Sequence, residues 1–224
     1  MTKTFWGTAL FSSAYLLLAL ACLCQPGNAH PWSRLDVFAG GYLLLRALGS
    51  AQSIGVSREV FRSKPLRREW WAINSDPGGI RRVVFLMLAD LLVLLDYGHW
   101  HLAPGLQRWP LQSLGLGVYV LVIAWQMWTD ASLAKVFARG TAPRTPMKSG
   151  PFLYVRHPRY AGAMAGKIAF ALIFASPLAW ILAVAWLLMF LRKIHLEEAH
   201  MLRLFGPEYD TYARHTPRLI PGIY

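Results

Sequence analysis

Apolar residues in this chain fall into long blocks separated by short polar segments. Blocks of this length are set by a bilayer's thickness rather than by the 3.6- or 2-residue alternation of a half-buried surface element. Residues 5–24 (FWGTALFSSAYLLLALACLC) form the first block. At 1.5 Å per helical residue its 20 residues reach across a hydrocarbon core of about 30 Å. A lysine before such a block also fits a signal peptide, but the run is long for one and reads as a span. Further spans are expected at 35–55, 83–103 and about 111–133, the last after the Trp109-Pro110 boundary. Residues 160–194 are too many for one untilted span and break at Ser176-Pro177, because proline removes a backbone donor and clashes with the preceding turn. They predict the two arms of a helical hairpin, 160–175 and 178–194.

The expected fold is therefore all-α: a polytopic membrane protein with about six membrane-inserted helices and an amphipathic, cytoplasmic C-terminal helix. Phe205-Gly206-Pro207 should end one helix, and Pro217 and Pro221 should stop the last. The chain reads as one membrane domain, with N-terminal spans in 1–134 and a hairpin and tail in 135–224. No internal repeat of the transporter kind is visible.

Composition supports this. Of 224 residues 55% are hydrophobic and only 15% charged, where soluble domains carry about a quarter. The net charge of +12 would suit nucleic acid, but its placement argues otherwise. Thirteen of the 23 basic residues lie in two inter-helix segments, seven in 56–82 and six in 135–159, while the intervening segments are nearly uncharged. Such alternation orients a membrane protein with its basic loops inside. It places both termini in the cytoplasm, and the basic segments beside anionic lipid. Compact loops and the lack of a eukaryotic retention signal point to a bacterial inner membrane. In 56–82 arginines interleave with Phe61, Trp70 and Trp71, which at a membrane favours interfacial anchoring over nucleic acid.

Ionisable side chains at membrane depth carry a functional hypothesis by default. Here they are Arg46, Asp90, Asp96, Asp130 and Lys167. The bland alternative is a structural pair such as Arg46 with Asp90; the other is the polar pathway of a non-catalytic binder or transporter using Asp90, Asp96 and Arg46. His99 and His101 flank Trp100 but lack further ligands nearby, so no metal is expected. Cys22 and Cys24 point to different helix faces and imply neither a disulfide nor a metal pair. Gly162 and Gly166 form a GxxxG that permits close helix packing or leaves room for a flat ligand.

The most informative stretches are 149–162 (SGPFLYVRHPRYAG) and 192–206 (RKIHLEEAHMLRLFG). Pro158 should hold His157 in a non-helical, presented conformation. Lys193 and Glu197, four apart, share a helix face. The return at Pro177 can bring the Glu197 end back beside His157, building a charged site at the membrane surface.

These segments resemble the isoprenylcysteine carboxyl methyltransferase superfamily, whose relatives include phospholipid N-methyltransferases and small-thiol S-methyltransferases. The resemblance covers about 135–224 and rests on RHPxYxG (Arg156 to Gly162), the hairpin, EE-x7-G (Glu197 to Gly206), Tyr209, Tyr212 and Pro-Arg-Leu-Ile-Pro at 217–221. It implies a membrane enzyme using S-adenosylmethionine without a Rossmann fold. Carried over by position, the cofactor would meet Arg144, Thr145, Pro146, Met147, Phe152, His157, Pro158, Arg159, Tyr160 and Glu197. Arg156, Lys193 and Glu197 would serve catalysis, with Arg156, Lys193 and Arg192 orienting a polar or anionic acceptor head. The isoprenylcysteine enzymes carry an arginine four residues before that glutamate. Lys193 stands there in this chain, a point charge in place of a planar fork. The implied acceptor is a membrane lipid or a lipophilic or small molecule, methylated on O, N or S.

Overall fold

The computed structural model describes residues 3–26, 30, 33–62, 78–137 and 145–222. It is all-helical over these residues, with seven α-helices and no strand. They are α1 (Lys3–Leu23), α2 (Val37–Arg62), α3 (Gly79–Leu95), α4 (Trp109–Phe137), α5 (Pro158–Phe174), α6 (Pro177–Phe205) and α7 (Pro207–His215). Three segments are long and apolar enough to cross a membrane: Arg81–Trp100, Trp109–Val136 and Pro177–Phe205.

The polar punctuation explains where helices stop. Asp36 opens α2, its Oδ1 accepting from the Phe38 and Ala39 amides at 3.0 and 2.9 Å. Pro158, Pro177 and Pro207 each sit in a first turn, where the missing N–H would have no helical partner anyway. The Ser176 hydroxyl caps α6 by accepting from the Leu178 amide.

The expected span 83–103 corresponds to Arg81–Trp100, but it is not regular α-helix throughout. Regular α-helix ends at Leu95, and Asp96–Trp100 form a single wider π turn closed by His101 in the left-handed region at φ 53°. Asp96 holds this turn: buried, it accepts from the Ser176 hydroxyl and from the Leu102 amide at 2.8 Å. Gly98 lies against α1 there, where a Cβ would come within 2.6 Å of the Cys22 carbonyl oxygen. Tyr97 donates to Asp36, and Gln112 joins Tyr97 Oη at 3.2 Å to the Ile173 carbonyl at 2.9 Å. The π turn thus joins several chain segments: Asp96 holds Ser176 and Leu102, Tyr97 reaches Asp36 and Gln112, and Gly98 packs on α1.

The expected Arg46–Asp90 pair is also corrected. Asp90 accepts from Lys167 of α5 and, at 3.3 Å, from the Trp186 indole of α6. Arg46 instead lies over the Tyr15 ring at 5.3 Å and donates to the Tyr119 hydroxyl.

Helix α4 is the centre of the bundle and packs on both α2 and α5. Its closest approach to α5 is at Gly115, where a Cβ would lie 2.7 Å from the Ile173 amide nitrogen. Tyr42, Tyr119, Phe170 and Phe174 interlock across α2, α4 and α5, Tyr42 standing 5.2 Å from each of the other three rings. A second cluster of Leu86, Trp186 and Phe190 joins α3 to α6 and reaches Tyr160. Association of this kind rests on close van der Waals packing, since lipid tails are as apolar as the side chains.

Candidate functional site

The charged cluster forms where α5 begins, because three chain segments meet there. The loop before α5 adopts a turn at Gly150–Leu153 that requires glycine. Gly150 has φ 61°, and a Cβ would lie 2.4 Å from Ser132 Oγ of α4. The Tyr212 hydroxyl of α7 donates to the Phe152 carbonyl at 2.7 Å. Burial pushes that hydroxyl up to about 12, partly offset by Arg156, so it keeps its proton at ordinary pH. Next, the amides of Arg156 and His157 donate to the carbonyls of Pro217 and Arg218 at 2.8 and 3.0 Å. The closing Pro-Arg of the C-terminal motif is therefore a backbone clasp on the RHP segment. From α4, the Trp125 indole donates to the Pro158 carbonyl at 2.8 Å and Gln126 to that of Arg159 at 3.1 Å, satisfying first-turn carbonyls and fixing how α5 starts.

Helix α6 runs 29 residues, well past its apolar arm, and delivers two adjacent glutamates to this point. Their side chains diverge by about 100° and take different partners. Glu198 is the anchor. Arg156 donates to it through Nε at 2.9 Å and Nη2 at 2.8 Å, and Arg218 Nε reaches its other oxygen at 2.9 Å. His157 Nε2 stands 3.3 Å from the same carboxylate. Glu197 faces the start of α5: it accepts from the Tyr160 hydroxyl, pairs with Lys193 Nζ at 3.6 Å, and lies 3.8 Å from His157 Nδ1.

Of the residues singled out in the sequence, the structure brings together Arg156, His157, Tyr160, Lys193 and Glu197. Pro158 and Arg159 continue the cluster onto α4, where Arg159 Nε is 3.7 Å from Asp130. Phe152 is held at the edge through its carbonyl. Thr145, Pro146 and Met147 precede the Gly150 turn, Pro146 buried and Thr145 exposed. Arg192 is exposed on α6. Arg144 lies outside the described residues.

One expected role changes. Arg156 was expected to meet an acceptor, but its Nη1 donates to the carbonyls of Ala213 and Thr216 while Nε and Nη2 hold Glu198. Its side chain is 9% exposed and its donors are turned into the protein. It is a brace between α5, α6 and α7. Sequence reasoning missed Glu198 as the anchor, and missed the roles of Arg218 and Trp125; Asp130 was singled out as a charge at membrane depth, but not placed beside Arg159. The doubled glutamate was a signal for the first; the others need the fold. His101 Nδ1 contacts the His99 carbonyl at 3.0 Å, and among the described residues no group of three His, Cys, Asp or Glu could hold a metal.

A cavity of about 280 Å³ opens beneath the cluster between α2, α4, α5 and α6. Asp130, Arg159 and Phe190 border it toward the cluster, and Phe190 stacks on Tyr160 at 5.3 Å. Arg46 and Lys167 border it farther in; Lys167 lies nine residues into α5, roughly 14 Å from its start. Gly162 and Gly166 form part of its wall. Gly162 also lets α5 close on α4, since a Cβ would meet Gln126 Nε2 at 2.8 Å and Trp125 Cδ1 at 2.9 Å. Gly162→Val is expected to push away the two side chains that hold the Pro158 and Arg159 carbonyls, costing about 1–3 kcal/mol of stability. A thermal midpoint in detergent equal to that of the native protein would show the contact is not tight.

A family model described as phospholipid methyltransferase matches residues 112–208. Methanethiol S-methyltransferase 2 of Bradyrhizobium diazoefficiens is 28% identical over 201 residues, covering 81% of this chain and 73% of that protein. Methanethiol S-methyltransferase 1 of the same organism is 28% identical over 197 residues, 80% of this chain and 65% of its own. The nickel-cobalt-cadmium resistance protein NccN of Alcaligenes xylosoxydans xylosoxydans is 29% identical over 146 residues, 65% of this chain and 64% of its own. The chain thus spans just under two thirds of the latter two. No solved structure matches. The family match opens in α4 and closes in the first turn of α7, taking in Trp125, the RHP segment, both glutamates and most of the cavity wall. The order of motifs, the all-helical fold and the comparisons thus agree: residues 112–208 match the phospholipid methyltransferase family, and about four fifths of the chain is similar to the methanethiol S-methyltransferases.

Proposed function

We propose that this protein transfers a methyl group from S-adenosylmethionine to a small thiol that reaches it through the bilayer. In this reading six helices are membrane-inserted, α5 and α6 form the hairpin, both termini are cytoplasmic, and the membrane is a bacterial inner membrane. The whole chain acts as one membrane body, with the cofactor at the cytoplasmic cluster.

The observation that carries the reading is Glu197, a carboxylate presented by rigid α6 beside Tyr160 and His157. A sulfonium cofactor also carries an ammonium group, so carboxylates suit it. Asp130 adds a second carboxylate whose Oδ1 is buried without a hydrogen-bond partner among the described residues. The donor set therefore fits the group. Glu197, His157, Arg159 and Tyr160 would hold it, with Pro158 fixing the backbone and Met147 and Phe152 offering apolar and aromatic surface for adenine. Arg144, Thr145 and Pro146 belong to this reading by position alone.

S-adenosylmethionine supplies an already activated methyl group. The protein's task is then alignment, exclusion of water and placement of charge, without a strong base. Lys193 holds Glu197 from the next turn of the same helix, and Arg192 offers a surface cation toward an acceptor head. Arg156 acts as a positioning residue, setting His157 against the glutamates.

The small-thiol acceptor is favoured by the two methanethiol S-methyltransferase relatives; the family-model description favours a phospholipid instead. One experiment decides both cofactor and acceptor. S-adenosylhomocysteine is titrated calorimetrically into detergent-solubilised protein, which is then incubated with methyl-labelled donor, methanethiol and lipid. Saturable binding with label in the volatile fraction is expected. Label in the lipid extract would move the acceptor to phospholipid, and a folded protein that neither binds nor transfers would overturn the reading.

A further inference from the structure

We propose that the intramembrane cavity is the acceptor chamber and that Arg46 selects an anionic acceptor, a small thiolate, by holding its charge opposite the cofactor cluster. This rests on the methyltransferase reading and deepens it.

The argument begins with charge. Three cations border the cavity: Arg159, Lys167 and Arg46. Arg159 stands beside Asp130, and Lys167 is paired with Asp90 and capped by the Trp186 ring at 4.2 Å. Arg46 has no carboxylate within ion-pair distance among the described residues. Its surroundings are tyrosines: the Tyr15 ring, the Tyr119 hydroxyl, and Tyr42 behind them. Its Nε is buried and has no hydrogen-bond partner among the described residues. Asp90, paired to Lys167, acts on Arg46 only through space, so among the described residues the chamber keeps one cation with no direct ion pair and one unpartnered N–H, in a setting where such charges are costly and mark ligand paths.

Size and chemistry narrow the ligand. About 280 Å³ lies at the small end of ligand pockets and has room for on the order of ten waters. An acceptor of a few heavy atoms fits; a diacyl phospholipid does not. Gly166 keeps the α5 wall bare, while the rings of Tyr42, Tyr119 and Trp186 give a soft sulfur favourable aromatic neighbours. A guanidinium also favours the thiolate over the thiol. The thiol's proton is left in water as the anion enters. The thiolate's electron pair then forms the new S–C bond to the donor's methyl carbon, the sulfonium C–S bond breaks, and its pair returns to the donor sulfur. The products are a methyl thioether and S-adenosylhomocysteine.

The test uses the full chain in detergent, with methanethiol as acceptor and thiocyanate, a small soft anion, as probe. Thiocyanate should compete with methanethiol in the native protein. Arg46→Met, which keeps length and removes charge, should raise KM for methanethiol about tenfold or more and weaken thiocyanate inhibition alike, the scale of one charge-assisted hydrogen bond. Its affinity for S-adenosylhomocysteine should stay within about twofold, and Arg46→Lys should recover most of the loss. An active native enzyme that thiocyanate does not inhibit competitively, or an Arg46→Met variant with native KM, overturns the chamber while leaving the methyltransferase reading intact. Native protein that fails to bind S-adenosylhomocysteine overturns both.

Discussion

Glu198→Ala is expected to destabilise the protein by about 3 kcal/mol, the usual cost of stripping one partner from a buried ion pair. In a chain of this size that lowers the thermal midpoint by on the order of ten degrees. The side chains of Glu198 and Arg156 are only 13% and 9% exposed, so solvent cannot take over the lost interaction. Glu198 is also a three-way junction: removing it breaks the bonds from Arg156 and Arg218 and takes away one of the two carboxylates beside His157. Because Arg156 also holds the Ala213 and Thr216 carbonyls, the loosening spreads to the end of α7. Arg156→Met should cost a similar amount. The double variant should cost little more than either single one, since all three remove the same brace. Strict additivity in thermal or denaturant unfolding would mean that the two side chains act separately and would sink the clasp. Cofactor affinity should fall too, as a consequence of a displaced His157.

The contrast between the two glutamates shows where sequence reasoning stops. The apolar blocks, the break at Ser176-Pro177 and the stop at Phe205-Gly206-Pro207 were legible, because bilayer thickness, proline and glycine act locally. The observed α5 and α6 start within two residues of the expected arms. The continuity of α6 was not legible: its apolar arm ends near residue 194, yet the same helix runs unbroken to the expected stop at Phe205. That continuation is stabilised by Arg156, His157 and Arg218 reaching it from elsewhere in the chain, which no local pattern encodes. The widened turn at the end of the third span was not legible either. Apolar residues continue past Leu95, but Gly98 must pass the Cys22 carbonyl and Asp96 must meet Ser176, so the turn widens. For the site, the motif order placed His157, Tyr160, Lys193 and Glu197 in one neighbourhood. It could not assign Arg156 to a brace, since a basic side chain beside a motif looks the same facing inward or outward. Nor could it pair Lys167 with Asp90 rather than Arg46 with Asp90, because helix rotation inside the bundle decides that.

Glu197→Gln should leave the fold nearly untouched and strike the cofactor. The amide oxygen still accepts from Tyr160, the volume is unchanged, and Glu198 keeps the brace, so the thermal midpoint should stay within about 3 °C of native. What disappears is a negative charge between Lys193 and His157. If that charge faces the cofactor, affinity should fall about 10- to 100-fold, the scale of one or two charge-assisted hydrogen bonds. Comparing the two forms of the cofactor then locates the contact. S-adenosylmethionine carries a sulfonium that S-adenosylhomocysteine lacks, while ribose and amino group are common to both. A larger loss for the methylated form places Glu197 against the sulfonium, where it would also act on the transfer step. Equal losses place it against the ribose hydroxyls or the ammonium, as an anchor. Unchanged affinity for both, in a variant with a native thermal midpoint, would remove Glu197 from the cofactor site, and Asp130, the other buried carboxylate at the cavity mouth, would take its place.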